Sequence, residues 1–167
     1  MIAKPVMLAI DPGYDRLGWA VGQQVQGKVK VFGCGCITTL KTDTHLDRCS
    51  QILTQLQVLA DQYQPDVVVM ESLFFTKNVT TAMKVAEIRG LILGVAIAHQ
   101  AQVAEYTPSQ LKLAAAGNGR ATKTEVEKMV RLQLGNQLNG KSLLDDTLDA
   151  LALLITHTAS VKMVNRV

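Results

Sequence analysis

Two short apolar runs in this chain each stop at a carboxylate: residues 6–10 end at Asp11, and residues 67–70 end at Glu71. Aliphatic runs without polar alternation belong to strands covered on both faces. Strands of that kind need helices above and below them, which restricts the chain to a layered α/β arrangement. The position of the acids matters equally. If the two strands are parallel neighbours, Asp11 and Glu71 emerge together at their carboxyl ends, the edge where open α/β sheets hold their ligands.

The remaining elements fit around these strands. Asp11-Pro12-Gly13 forms a turn, because Pro cannot donate to a ladder and Gly suits turn geometry. Residues 17–21 and 28–37 read as two further strands, with 22–27 as a polar hairpin connection. Leu46, Cys49, Ile52, Leu53, Leu56 and Leu59 recur at helical steps and predict a helix over 42–63, with Thr42 or Asp43 as its cap. A long helix is expected over 80–99; its apolar second half, 90–98, implies burial on two sides. Residues 102–106 form a short strand, and helices follow over 108–115, 122–132 and 143–161. Trp19 is expected in the core. The expected fold is a mixed five-stranded sheet with helices on both faces, in a single domain spanning 1–167.

Composition removes several classes. Hydrophobic residues make up 48% and charged residues 19% of the 167, an ordinary globular balance that argues against disorder. The longest apolar stretch is far shorter than a membrane span. The first residues lack the apolar core and cleavage site of a signal peptide, so a cytoplasmic location without membrane association is expected. Cys34, Cys36 and Cys49 are odd in number and lack disulfide or metal-finger spacing, while His45, His99 and His157 are scattered. The two nearby cysteines read as small buried residues. The formal charge of +3 permits a nucleic-acid partner without requiring one.

Asp146 and Asp149 lie three apart at the start of the last helical pattern and therefore share a helix face. Each acid has an ordinary explanation when taken singly. Asp11 is a good turn residue, Glu71 suits a solvated strand end, and Asp145, Asp146 and Asp149 suit the positive end of a helix. Taken together they point elsewhere. Four acids at one point repel strongly, and divalent cations relieve that repulsion; oxygen ligands favour Mg²⁺ or Mn²⁺ over Zn²⁺. Two such ions about 4 Å apart suit in-line displacement at a phosphodiester.

Basic residues cluster in one region. Lys112, Arg120, Lys123, Lys128 and Arg131 surround the Gly117-Asn118-Gly119 loop, whose backbone is open to phosphate contacts. A solvated helix face balanced by Glu125 and Glu127 is the alternative. Phe74 and Phe75, just beyond Glu71, fit either core packing or stacking on an unpaired base.

These residues, in this order, resemble the RuvC family of Holliday-junction resolvases. The resemblance rests on Asp11-Pro12-Gly13 with Gly18-Trp19 and on Glu71-Ser72-Leu73-Phe74-Phe75-Thr76-Lys77-Asn78. It continues through Thr81-Ala82, Ala86, Arg89-Gly90, Gly117 to Lys123, and Asp146-Thr147-Leu148-Asp149-Ala150. It implies a ribonuclease H-like fold and a homodimer formed through the long helix. It also implies Mg²⁺-dependent symmetric nicking of four-way DNA junctions, with Mn²⁺ able to substitute and a branch-migration motor as a further partner. By matching positions, Asp11, Glu71, Asp146 and Asp149 are the metal-binding catalytic acids. Phe74 matches a base-stacking aromatic, and Lys112 and Lys123 match basic residues that handle the junction; Arg120 of the glycine loop and Lys77 are further candidate DNA contacts, with solvent the alternative for Lys77 as for Arg89.

Two departures stand out. Asp145 adds an acid beside the expected pair, and the 134–142 connection has no assured alignment. Some family members carry His at the third acidic position, where Asp146 stands here. Two other functions compete with a resolvase: a catalytically inactive junction-binding module of the same fold, and an actin-like phosphotransferase. The second is disfavoured by the short chain and by the lack of an extended Gly-Thr phosphate loop.

Overall fold

The chain begins as a meander of β1 (Val6–Asp11), β2 (Arg16–Val25) and β3 (Lys28–Thr38). It then alternates through α1 (His45–Tyr63), β4 (Val67–Glu71), α2 (Val79–Ala98) and β5 (Gln102–Tyr106). The last part is helical: α3 (Pro108–Ala116), α4 (Lys123–Leu134), a 3-10 turn (Gly135–Leu138) and α5 (Asp145–Val164). This computed structural model describes residues 4–72, 79–138 and 143–164. The sheet runs β3-β2-β1-β4-β5, with β1–β2 and β2–β3 antiparallel and β1–β4 and β4–β5 parallel. The five expected strands are present, and so is the mixed pairing.

Alternation along the two central strands explains the layers. Leu8, Ile10, Val68 and Met70 face one side and share a core with Ile52, Leu56, Ile88 and Ile92 of α1 and α2. Met7, Ala9, Val67 and Val69 face the other side and pack with Leu148, Leu151 and Ile155 of α5 and with the buried residues of α3 and α4. Both faces of β1 and β4 are thus covered, as their unbroken apolar runs require.

Several sequence expectations shift. The 22–27 segment is not a loop: β2 continues to Val25, and the turn consists of Gln26 and Gly27, with φ of 49° and 77°. Two left-handed residues give the hairpin twist that matches its strands. Polar Gln23 and Gln24 are strand residues on a ribbon that extends towards solvent, paired with Lys30 and Val29. The cap of α1 is Thr44, not Thr42 or Asp43, and its hydroxyl accepts from the Asp47 N–H. Leu46 is 76% exposed, because the buried stripe of α1 runs through Arg48, Ile52, Leu56, Leu59 and Ala60. Arg48 is a buried cation in that stripe. It donates to the Thr39 hydroxyl (2.8 Å), the Tyr14 carbonyl (3.1 Å) and the Asp15 carboxylate. Trp19 is half-buried, with its ring against Gly33 and Gly35 of β3. Cys34, Cys36 and Cys49 are reduced and each half-buried. Among the described residues, no helix is long and apolar enough to cross a membrane.

Candidate metal centre

Asp11 ends β1 and pairs with Gly18 of β2. On the other side, the parallel register Ile10↔Met70 brings Asp11 beside Glu71 at the carboxyl edge of the sheet. Both acids continue the alternation of Met7, Ala9, Val67 and Val69, so both belong to the face covered by α5. The first turn of α5 is seated at the same edge. A Cβ on Gly18 would stand 1.8 Å from the Asp146 carbonyl oxygen, so helix backbone lies directly on strand backbone there. Asp146 and Asp149, one turn apart on α5, are thereby brought to Asp11.

Electrostatics register the convergence. The Asp11 carboxyl is pushed up to about 7, first by burial and then by the charges of Asp149, Glu71 and Asp146; Lys123 opposes the rise. Glu71 is also raised, chiefly by burial and then by Asp149, against Lys112 and Arg89. Asp149 is raised because burial and the neighbouring Asp146 and Asp145 outweigh the hydrogen bond and charge of Lys123. Every acid singled out in the sequence takes part in this one field.

Protein cations occupy part of the site. Lys123 Nζ hydrogen-bonds Asp149 Oδ2 at 3.1 Å and lies 3.6 Å from Asp145 Oδ2. Arg16 Nε stands 3.0 Å from Asp146 Oδ2, but not in hydrogen-bonding alignment, and that buried oxygen has no hydrogen-bond partner. Among the described residues, no three His, Cys, Asp or Glu side chains are drawn together as a ready-made metal group. The donor set nevertheless suits a hard divalent ion. It consists of carboxylate oxygens alone, one of them buried and unpartnered, around an Asp whose charge is disfavoured without a counter-ion.

Of the expected DNA contacts, Lys112 on α3 is close enough to Glu71 to lower its pKa, and Lys123 touches Asp149 directly. Arg120 stands exposed in the loop before α4, where its backbone N–H donates to Asn118 Oδ1 at 3.0 Å. Its side chain is not among those gathered at the acids. Phe74 and Lys77 lie outside the described residues. Asp145 is exposed and shares Lys123 with Asp149.

Sequence reasoning missed three positioning groups. Gly18 entered only through the resemblance. Arg16 was passed over. Arg89, quoted only within the resemblance, is buried and donates to the Glu71 carbonyl and the Glu105 carboxylate. It thus ties α2 to β4 behind Glu71. An Arg at the entry to the apolar second half of α2, with an acid on the next strand, was the available signal.

A sheet of this order, with acids at the carboxyl ends of β1 and β4 facing two more on a helix laid across the sheet, defines a ribonuclease H-like protein. The family model described as "Crossover junction endodeoxyribonuclease RuvC" matches residues 7–157, and the chain belongs to that family. It is 38% identical to the crossover junction endodeoxyribonuclease RuvC of Roseiflexus sp. over 160 residues, covering 96% of this chain and 94% of the relative. Identity to the Alkaliphilus metalliredigens protein of the same description is 39% over 155 residues, covering 93% of each. Among solved structures, T. thermophilus RuvC in complex with a Holliday junction substrate superimposes with a TM-score of 0.87 at 31% identity, covering 95% of this chain and 96% of that one. The yeast mitochondrial Holliday junction resolvase shares the fold, with a TM-score of 0.71 at 14% identity, over 96% of this chain and 80% of that one.

Proposed function

We propose that this chain, as a single nuclease domain over 1–167, is a structure-selective DNA endonuclease that resolves four-way junctions by metal-assisted phosphodiester hydrolysis, leaving 5′-phosphate nicks. The observation that carries this reading is the meeting of Asp11, Glu71, Asp146 and Asp149 in one field strong enough to hold Asp11 near 7. These four carboxylates would hold two divalent ions, Mg²⁺ with Mn²⁺ as a substitute, which when bound supply an activated water and charge compensation at the leaving oxygen. Burial around Asp11 limits bulk water and strengthens each charge interaction there. Arg89 fixes the backbone behind Glu71, and Gly18 seats the helix that carries the other two acids. Lys112, Arg120 and Lys123 neutralise backbone phosphates; Phe74 and Lys77 belong to the same DNA-contact set.

Nicking by the purified protein with Mg²⁺, compared on a synthetic four-way junction and on linear duplex of the same sequence, tests this. Strong preference for the junction is expected. Cutting both substrates alike would reduce the protein to a general nuclease, and junction binding without nicking would make it an inactive module.

Cation binding carries its own signature. In metal-free protein Asp11 binds its proton more tightly folded than unfolded, so its contribution to stability is greatest below the unfolded value of 3.8 and is lost as pH rises towards about 7. Above that, the ionised site costs stability until a cation binds. Each site filled by Mg²⁺ at 100 times its Kd adds about 2.7 kcal/mol, or about 5–10 °C in Tm per site for a chain of this size. Melts at pH 8 with EDTA or Mg²⁺ should show this gap, and the gap should narrow at pH 5. A Tm indifferent to Mg²⁺ at pH 8 would remove the metal site.

Two active sites on one junction call for a dimer, and α2 supplies a face for it. Met83, Ala86, Gly90, Gly94 and Ile97 are exposed along one side, and a Cβ on Gly90 or Gly94 meets nothing within 4 Å. Such a stripe admits the close approach of a second helix. The double change Gly90→Leu, Gly94→Leu improves helix propensity within the protomer, by about 1 kcal/mol per Gly replaced, yet should convert a dimer to a monomer in sedimentation equilibrium. An unchanged mass would move the interface elsewhere. A branch-migration motor belongs to the same reading as a further partner.

A further inference from the structure

Beside Asp146 lies an open cavity of about 420 Å³ whose basic residues, Arg16 and Lys84, are not among the DNA contacts assigned above. Gly13 and Tyr14 line it from the β1–β2 connection, Arg16 from the start of β2, Lys84 and Val85 from α2, and Asp146 from α5. Because β2 and β4 flank β1 on opposite sides, this cavity is on the far side of Asp11 from Glu71 and Lys112. A DNA strand crossing the acids brings its own negative charge to four carboxylates. Cations are needed both before and after the reacting phosphate. Lys112 and Lys123 supply them towards Glu71 and Asp149. Towards Asp146, the charged groups on the cavity wall are Arg16, Lys84 and Asp15.

We propose that this cavity is a phosphate subsite, in which Arg16 and Lys84 take the backbone phosphate neighbouring the one that is cut. The assignment rests on the endonuclease reading and extends it. Lys84 is exposed, and its Nζ is held 4.8 Å from the centre of the Tyr14 ring. The Arg48 guanidinium also stacks on that ring, 3.8 Å from its centre. The ring thus fixes the direction of Lys84 without consuming its charge, and among the described residues no carboxylate lies within 4 Å of the ammonium. Asp15, the one other acid of the wall, is engaged by Arg48 and, at 3.7 Å, by Lys41. Arg16 is half-exposed and stands near Asp146 without a directed hydrogen bond. A phosphate offers its planar fork two parallel hydrogen bonds, a better partner than the single misaligned oxygen. Turning Arg16 to that phosphate frees Asp146 for a cation, so arrival of the strand completes the acidic centre.

The test uses the full chain carrying Asp11→Asn as the parent, so that binding is read without cutting. Adding Lys84→Gln or Arg16→Gln should each reduce the slope of log K against log salt by about one unit. A single methylphosphonate beside the cleaved step should weaken junction binding by the parent and leave the Arg16→Gln, Lys84→Gln form unaffected. Unchanged slopes, or an equal methylphosphonate penalty in both forms, overturn the subsite. A change with Arg16→Gln alone also overturns it, reducing Arg16 to a counter-ion of Asp146. A parent that binds junction and linear duplex alike, while Lys84→Gln still lowers the slope, keeps the subsite and removes the resolvase reading.

Discussion

Asp11→Asn is expected to abolish nicking of a four-way junction while leaving junction binding measurable. Asn preserves the shape of the side chain at the end of β1 but removes the negative charge around which the centre is organised. Loss of an outer partner of a metal ligand costs about 10–100-fold in affinity or activity, so loss of a ligand between both strand and helix acids should exceed that range. Binding should survive because it depends on basic residues outside the acids, and removal of a carboxylate makes the surface less repellent to DNA. Stability gives a second reading of the same variant. In EDTA at pH 8, the wild-type site carries a charge at Asp11 that burial and three neighbours oppose. The Asn variant lacks that cost and should melt at or above the wild-type temperature, with most of the Mg²⁺-induced rise gone. A turn residue behaves differently: a lower Tm together with equal losses of binding and nicking would make Asp11 structural.

The parts of this fold that were legible in the sequence are those governed by a period. Unbroken aliphatic runs marked β1 and β4 as doubly covered strands, and the three-residue step placed Asp146 and Asp149 on one helix face. Acids at the ends of those runs then had to appear at a sheet edge. What stayed hidden depends on contacts between distant segments that have no period. Arg48 and Arg89 are buried cations whose partners, Asp15 and Glu105, lie on other elements. Their local pattern reads as solvent-facing. The Gln26-Gly27 turn was hidden by polar strand residues around it, because polarity marks exposure and not the absence of pairing. Lys123 was expected to meet DNA, and the structure finds it on Asp149, so a cation placed to receive phosphate also restrains the acids. Phe74 and Lys77 fall outside the described residues; the role of Phe74 rests on the resemblance, and Lys77 stays a candidate contact.

Gly18→Ala should be nearly as damaging as loss of an acid, although the residue has no side chain to take part in chemistry. The added Cβ would lie 1.8 Å from the Asp146 carbonyl oxygen, 2.3 Å from its carbonyl carbon and 3.0 Å from the Thr147 nitrogen. All three are backbone atoms in the first turn of a helix, so no rotamer change relieves the clash. Either β2 separates from β1 at the Asp11↔Gly18 pair, or the start of α5 lifts from the sheet. Overpacking of this kind costs about 1–3 kcal/mol or more, which for this size lowers Tm by about 2–12 °C. Lifting α5 also carries Asp146 and Asp149 away from Asp11, and misplacement by about 1 Å can cost about 100-fold in rate. The two consequences separate in one set of measurements. Melting in EDTA reads the clash itself, while the Mg²⁺ concentration needed for half-maximal nicking reads the distance between helix and strand acids. Both should worsen. In metal-free protein the variant should also bring Asp11 back towards an ordinary carboxylate, because two of the charges that raise it have moved off. A Gly18→Ala protein with unaltered melting and unaltered Mg²⁺ requirement would mean that α5 is seated by its apolar face alone, through Leu148 and Leu151, and that the strand–helix backbone contact does not set the spacing of the acids.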